Sequence, residues 1–94
     1  MKTALFTASY NRPELMEQLL SGLEENRDSL NGLDIFHFID GGPNSKQDEI
    51  IGLINSSTIP VHSIILREVN YGVGLNIIGA RRMLFDELGY ARII

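Results

Sequence analysis

Apolar and polar positions follow two different spacings along the first third of the chain. The stretch "KTALFTASY" (residues 2–10) is a short apolar and β-branched run without helical spacing, which predicts a strand buried on both faces. The next stretch, "NRPELMEQLLSGLEEN" (11–26), repeats its apolar residues at the spacing of an amphipathic helix. The predicted apolar face consists of Leu15, Met16, Leu19, Leu20 and Leu23. Asn11 and Glu14 have the spacing of a capping box, and Pro13 suits the first turn, so the helix is expected to begin there.

The same alternation continues to the last residue. "LDIFHFID" (33–40) predicts the second strand, and "VHSIILREV" (61–69) predicts the third. Between them, Ser45 and Asp48 are expected to cap a helix that ends near Asn55. "LNIIGARRMLFDELG" (75–89) predicts a third helix closed by Gly89, and "YARII" (90–94) begins a fourth strand. The apolar stripe of the third helix is predicted to be Ile77, Ala80, Leu84 and Leu88.

The order β-α-β-α-β-α-β predicts the fold. Strands and helices that alternate through short turns form right-handed βαβ units, so we expect a three-layer α/β/α domain with a mostly parallel, Rossmann-like sheet. The strands near Ala4, Phe36 and Ile64 should lie parallel. The helix side chains expected against the sheet are Leu19, Leu23, Ile50, Ile54 and Leu84. The fourth strand looks truncated, which predicts the N-terminal part of a larger domain and a homo-oligomer formed through this strand.

Composition narrows the classes of partner. The 94 residues are expected to form a single domain, 1–94, with 44% hydrophobic residues and a net charge of -4. The eight Lys and Arg residues are dispersed, so neither nucleic acid nor an anionic membrane is an expected partner. Cysteine is absent, and the first apolar run, Ala4 to Phe6, is too short for a signal peptide or a membrane span. A cytoplasmic protein is the resulting expectation.

The three loops that come after the strands are polar, namely "ASYNRP", "DGGPN" and "EVNYGVGLN". The carboxyl ends of parallel strands meet at one edge of a sheet, where α/β proteins bind ligands. Each loop also has a structural explanation: a helix cap, a tight turn, or flexibility at Gly72 and Gly74. Together they predict a crevice in which glycines let a ligand approach the backbone. The side chains expected around it are Thr7, Ser9, Arg12, Asp40 and Asn70.

Several known chemistries do not fit these loops. The glycines of "NYGVGLNIIG" are spaced G-x-G-x-x-x-x-G and come after the third strand, whereas a dinucleotide-binding fingerprint is G-x-G-x-x-G after the first. The sequence also lacks a G-x-x-x-x-G-K-[ST] phosphate loop and a G-x-S-x-G nucleophile elbow. His37 and His62 lie within strands without metal-ligand spacing, which favours structural roles. Arg81 and Arg82 are expected on a solvated helix face, with a phosphate contact as the alternative.

Three blocks carry a family resemblance: "ALFTASYNRPELMEQLLSGLEEN", "FHFIDGG" and "NYGVGLNIIGARRMLFDELGYARII". In order and spacing they resemble an inverting, family-two-like glycosyltransferase of the GT-A fold. Asn-Arg-Pro and Asp-Gly-Gly are the most specific parts, and the N-x-G block is degenerate. The resemblance implies that the nucleotide of a sugar-nucleotide donor is held by Thr7, Ser9, Tyr10, Asn11, Arg12 and Asp40. It places Asn70 and Gly72 near the nucleotide and the sugar.

The chemistry of these residues is compatible with that implication. A carboxylate such as Asp40 can accept a hydrogen bond from uracil N3–H or a ribose hydroxyl, and Arg12 can supply charge to the diphosphate. The family, however, holds its divalent cation, Mn²⁺ or Mg²⁺, with an Asp-x-Asp-like motif after the fourth strand, and the chain ends at Ile94 before such a motif. The general base would lie further on still.

The sequence therefore predicts the UDP-sugar-binding portion of a glycosyltransferase, inactive as this chain, with the cation required only by the full-length enzyme. A non-catalytic nucleotide-binding or protein-interaction module with the same fold is the alternative. A nucleotidyltransferase is a third hypothesis. That class requires a glycine-rich, basic loop after the first strand, and "ASYNRP" contains no glycine.

Overall fold

The computed structural model describes residues 2–70 and 72–94, apart from the side chain of Val73. Strands and helices alternate as predicted, with two short helical segments in addition. The elements are β1 (Thr3–Ser9), α1 (Pro13–Glu25), a 3₁₀ turn (Arg27–Leu30), β2 (Leu33–Ile39), α2 (Gln47–Ser56), β3 (Ser63–Leu66), α3 (Gly72–Arg82), a π-helical turn (Met83–Glu87) and β4 (Arg92–Ile93).

The four strands form one sheet in the order β3-β2-β1-β4, and each described pairing is parallel. Phe6 lies opposite Phe36, which lies opposite Ser63, while Thr3 at the start of β1 pairs with Arg92 of β4. The strands predicted to be parallel are therefore parallel. The Rossmann-like, three-layer α/β/α prediction is confirmed.

The sheet separates two apolar clusters. Side chains alternate between the faces of a strand, so Phe36 and Phe38 of β2 point to one side and Ile39 to the other. The phenylalanines pack with Ala80 and Leu84, which belong to α3 and the π-helical turn. Ile39 packs on the other face with four side chains of α1 and α2, namely Met16, Leu20, Ile50 and Ile54. The helical layers thus lie on opposite faces, α3 on one and α1 with α2 on the other.

Helix α1 buries a narrower stripe than its sequence predicts. Met16 and Leu20 are buried and Leu23 is partly buried, but Leu15 and Leu19 are 48% and 40% exposed. The prediction that Leu19 packs in the core is wrong. Both exposed leucines line a cavity beyond the end of β1 instead of packing against the sheet.

The predicted helix caps are also wrong. Helix α1 begins at Pro13, which puts Arg12 at the N-cap, and no side chain caps the helix there. Asn11 lies one residue too early to act as the cap. Helix α2 begins at Gln47 with Lys46 at the N-cap, again without a side-chain cap. The Lys46 amide instead donates to the carbonyl of Tyr10, 3.3 Å away, so a contact between loops positions the start of this helix.

A π-helical turn changes the face presented by the end of the third helix. The Leu88 amide donates to the carbonyl of Met83, five residues earlier, at 2.9 Å. The additional residue in this turn rotates the end of the helix about its axis, so Leu88 leaves the buried stripe and is half-exposed, contrary to prediction. Gly89 has a φ of +72° and ends the helical segment as predicted.

Within the described ranges, no helix combines the length and the apolar character that crossing a bilayer requires.

Candidate functional site

A cavity of about 190 Å³ lies at the carboxyl end of β1. The chain runs outward from β1 through β2 to β3 and then returns past β1 to form β4 on its other side. The strand order therefore reverses next to β1, and such switch points are where open α/β sheets bind ligands. The lining residues are Ala8, Ser9, Tyr10, Arg12, Leu15, Met16, Leu19, Asp40 and Asn76.

Asp40 contributes a buried carboxylate to this cavity. It comes directly after the last residue of β2, and its amide donates to the carbonyl of Ser9 at 2.8 Å, which joins the ends of the two central strands. Its Oδ2 accepts the Gly72 amide at 2.9 Å. Its Oδ1 is buried without a hydrogen-bond partner among the described residues, although the residue is only 2% exposed. The protein thus donates a hydrogen bond to one carboxylate oxygen, and the other oxygen can still accept one.

Ser9 provides a second polar atom of this kind. Its Oγ is buried, and within residues 2–70 and 72–94 it has no hydrogen-bond partner. Ser9 and Asp40 line the same cavity. Buried polar groups are normally paired with protein atoms or ordered water, so two unpaired ones at a strand switch point mark a place where a water molecule or a ligand can be hydrogen-bonded.

Asn76 is a site residue that the sequence patterns did not indicate. It is 1% exposed, and its Nδ2 donates to the Phe38 carbonyl at 3.2 Å while its Oδ1 accepts from Arg67 Nε at 3.3 Å. Asn76 thereby fastens α3 to the end of β2 beside Asp40. Its spacing in the sequence could have revealed it, because Asn76 lies on the same helical stripe as Ala80 and Leu84, at intervals of four residues.

Gly41 has a structural reason to be glycine. A Cβ there would lie 2.2 Å from the Arg67 carbonyl oxygen and 2.8 Å from the Glu68 carbonyl carbon. The residue thus admits a neighbouring segment of the same chain, whereas the sequence predicts that the loop glycines admit a ligand. Gly42 and Gly72 have φ angles of +110° and +81°, which other residues rarely adopt.

Arg12 lies at the rim of the cavity and is mostly exposed. Its Nε donates to Glu14 Oε1, two residues along the chain. Among the described residues that line the cavity, Arg12 carries the one positive charge and Asp40 the one negative charge. The site therefore offers a buried acceptor at one end and an accessible cation at the other.

The other predicted site residues do not reach the lining of this cavity. Thr7 is buried and its Oγ1 forms a 2.7 Å hydrogen bond with His37 Nδ1. Asn11 lies on the loop before α1, is half-buried, and is not one of the lining residues. Asn70 is exposed, and its Oδ1 accepts the Gly72 amide at 2.8 Å, so both residues support the loop near Asp40. Of the residues implied by the family resemblance, Ser9, Tyr10, Arg12 and Asp40 line the cavity.

His37 lies within the sheet, away from the cavity lining. Burial lowers its pKa from 6.5 to about 4, because the charged ring would lose its hydration. Its Nε2 has no hydrogen-bond partner among the described residues. His62 is exposed, with its ring against Phe36 and its Nδ1 3.1 Å from Ser63 Oγ. These contacts support structural roles for both histidines.

The residues around the cavity do not fit a divalent cation. In the described part of the chain, no three His, Asp or Glu side chains converge. Asp40 is the one described carboxylate in the lining, and its Oδ2 already accepts the Gly72 amide. We assign no role to a cation at this site.

Comparison with protein-family models, with curated proteins and with solved structures gave no match to this chain.

Proposed function

We propose that the cavity binds the uracil ring of a UDP-sugar, and that the chain is the nucleotide-binding portion of a glycosyltransferase. The observation that carries this proposal is the buried, unpaired Oδ1 of Asp40. A buried acceptor left without a partner costs about 1–3 kcal/mol, and more when it is charged. A ligand that donates a hydrogen bond in this position recovers that cost. Uracil N3–H is such a donor, and one of the two carbonyl groups that flank it can accept from Ser9 Oγ.

The volume of the cavity supports a single ring. A buried cavity of about 150 Å³ holds benzene, so about 190 Å³ suits one six-membered ring and leaves little room for a purine. Leu15, Met16 and Leu19 supply an apolar wall for the faces of the ring. These features favour a pyrimidine nucleotide over an adenine or guanine nucleotide.

Arg12 extends the proposed site from the base towards the phosphates. Its guanidinium is accessible at the rim, and guanidinium groups bind phosphate with good geometry. Sugar transfer would also need a general base and a cation, and we propose that both belong to the full-length enzyme, acting in the cytoplasm. The chain alone should bind nucleotide weakly, respond little to Mn²⁺ or Mg²⁺, and transfer no sugar.

The test is calorimetry with uridine, UDP and ADP on the unmutated chain and on Asp40 variants. Asp40→Ala should weaken UDP binding by roughly 10-fold to 150-fold, the range for a hydrogen bond to a charged group. Asp48→Ala is the matched control, since Asp48 is an exposed acid in the first turn of α2. It should leave UDP binding unchanged.

Asp40→Asn gives a sharper version of the same test. The asparagine oxygen can still accept the Gly72 amide, while its NH₂ group, a donor, takes the place of Oδ1. This variant should lose affinity for uridine and gain affinity for cytidine, whose N3 is an acceptor. An Asp40→Ala variant that folds and binds UDP as tightly as the unmutated chain would contradict the proposal. It would favour the protein-interaction module instead.

A further inference from the structure

Glu14 lies beside the one cation of the proposed site. Arg12 Nε donates to Glu14 Oε1 at 2.5 Å, and the two side chains are 61% and 58% exposed. Arg12 belongs to the cavity lining and Glu14 does not. The carboxylate therefore engages the guanidinium from outside the cavity, at the rim where a nucleotide's phosphates would emerge.

Glu14 lies in the first turn of α1, where the backbone amides have few partners within the helix. Pro13 has no N–H, and the Leu15 and Met16 amides donate to the Arg12 carbonyl at 3.0 and 3.4 Å. The Arg12 hydrogen bond first, and the Glu14 backbone amide second, lower the pKa of Glu14 below its ordinary value. The Arg12 guanidinium, a group that binds anions well, is thus already paired with one anion.

We propose that the Glu14 carboxylate occupies the position of the ligand's phosphate and competes with it for Arg12. This inference rests on the proposed function, because it concerns the same cavity. Binding of the base alone leaves the Arg12–Glu14 pair intact. Binding of a diphosphate displaces Glu14 or places two anions beside one guanidinium. Glu14 therefore lowers the affinity for UDP specifically, and it does not lower the affinity for uridine.

The expected effect is modest, because both groups are exposed and solvent screens their attraction. Exposed ion pairs change equilibrium constants by about fivefold at most, so Glu14→Gln should tighten UDP binding by about twofold to fivefold. The gain should shrink as salt is added, since salt screens exposed charges. Uridine binding should not change.

The experiment compares Glu14→Gln with Glu17→Gln by calorimetry, using UDP and uridine as probes. Glu17 is the matched control because it lies on the same helix, is exposed, and loses the same charge without contacting Arg12. Glu17→Gln should leave the affinity for both probes unchanged. In an Arg12→Gln background, Glu14→Gln should no longer raise the affinity for UDP, because the guanidinium for which the two anions compete is then absent. Circular dichroism checks that every variant is folded.

The results separate this inference from the proposed function. If uridine and UDP bind, Asp40→Ala weakens both, and Glu14→Gln matches Glu17→Gln, the competition is refuted while the nucleotide site stands. Weaker UDP binding by Glu14→Gln also refutes the competition, because Glu14 would then be holding Arg12 in position for the phosphate. If neither probe binds to any variant, the proposed function fails and the inference fails with it.

Discussion

His37 should make the stability of this protein fall in mild acid. The side chain is fully buried, and burial lowers the pKa of its ring from 6.5 to about 4 in the folded state. Between these values the unfolded chain binds a proton that the folded chain does not bind. The contribution of His37 to stability is therefore complete above pH 6.5 and is lost as the pH falls towards 4.

The size of the loss can be calculated from the two pKa values. Each pH unit between 6.5 and about 4 removes at most about 1.4 kcal/mol from the free energy of unfolding. Because titration is only partial near each pKa, the total loss in the free energy of unfolding between pH 7 and pH 4 is about 3 kcal/mol. A small domain has only about 5–15 kcal/mol in total, so this loss is readily measured.

The assay is urea denaturation of the unmutated chain and of His37→Gln at pH 7, 6, 5 and 4. Glutamine can still hydrogen-bond Thr7 but does not titrate, so the two pH profiles should diverge by about 3 kcal/mol at pH 4. His62→Gln is the control, because it removes an exposed histidine and leaves the buried His37 in place, so the loss of stability between pH 7 and pH 4 should persist. Parallel profiles for the unmutated chain and His37→Gln would refute the reasoning. If His37→Gln does not fold, the ring protons of His37 in the unmutated chain can be followed by NMR, where titration near pH 6.5 would refute it equally.

Two further predictions concern the loops that hold the sheet together. Gly41→Ala should destabilise the protein by about 3 kcal/mol or more, because the new Cβ meets the rigid Arg67 carbonyl and cannot be accommodated by side-chain movement. Gly52→Ala is its control: nothing lies within 4 Å of a Cβ in this exposed part of α2, so it should stabilise the helix by about 0.5–1 kcal/mol. Thermal unfolding measures both, and an equal Tm for the two variants would contradict the close approach. Tyr90→Phe should cost about 1.5 kcal/mol by removing the 2.7 Å hydrogen bond to Asp34 while keeping the buried ring, and urea denaturation at pH 7 that shows no loss would contradict this.

The order of elements and their parallel arrangement could be predicted from the sequence alone. Short apolar runs and amphipathic stretches are local patterns, and a strand and a helix repeat them at different periods. Alternating them through short turns leaves right-handed βαβ units as the favoured arrangement. The same rule placed Ser9, Arg12 and Asp40 at one edge of the sheet, and all three line the cavity.

The start of α2 was decided by a contact between loops, and neither α1 nor α2 begins at its predicted cap. Asn11 and Ser45 are good capping residues, but α1 begins after Arg12 and α2 begins after Lys46. The Lys46 amide is held by Tyr10, a residue 36 positions away, and capping patterns describe only neighbours in sequence. Leu88 was misplaced for a related reason, since the π-helical turn adds a residue that the helical period does not anticipate.

The details of the site belong to the tertiary structure. That Gly41 must be glycine depends on the Arg67 carbonyl, which arrives from the end of β3. Thr7 looked like a site residue because it lies near the end of a strand, but the pleat directs it to His37 on the neighbouring strand. From the sequence, Asn76 is a polar residue between apolar neighbours, and its role emerges only when Phe38 and Arg67 are placed around it. Sequence patterns determined which edge of the sheet carries polar groups, whereas packing between distant segments decided which of those groups remain unpaired.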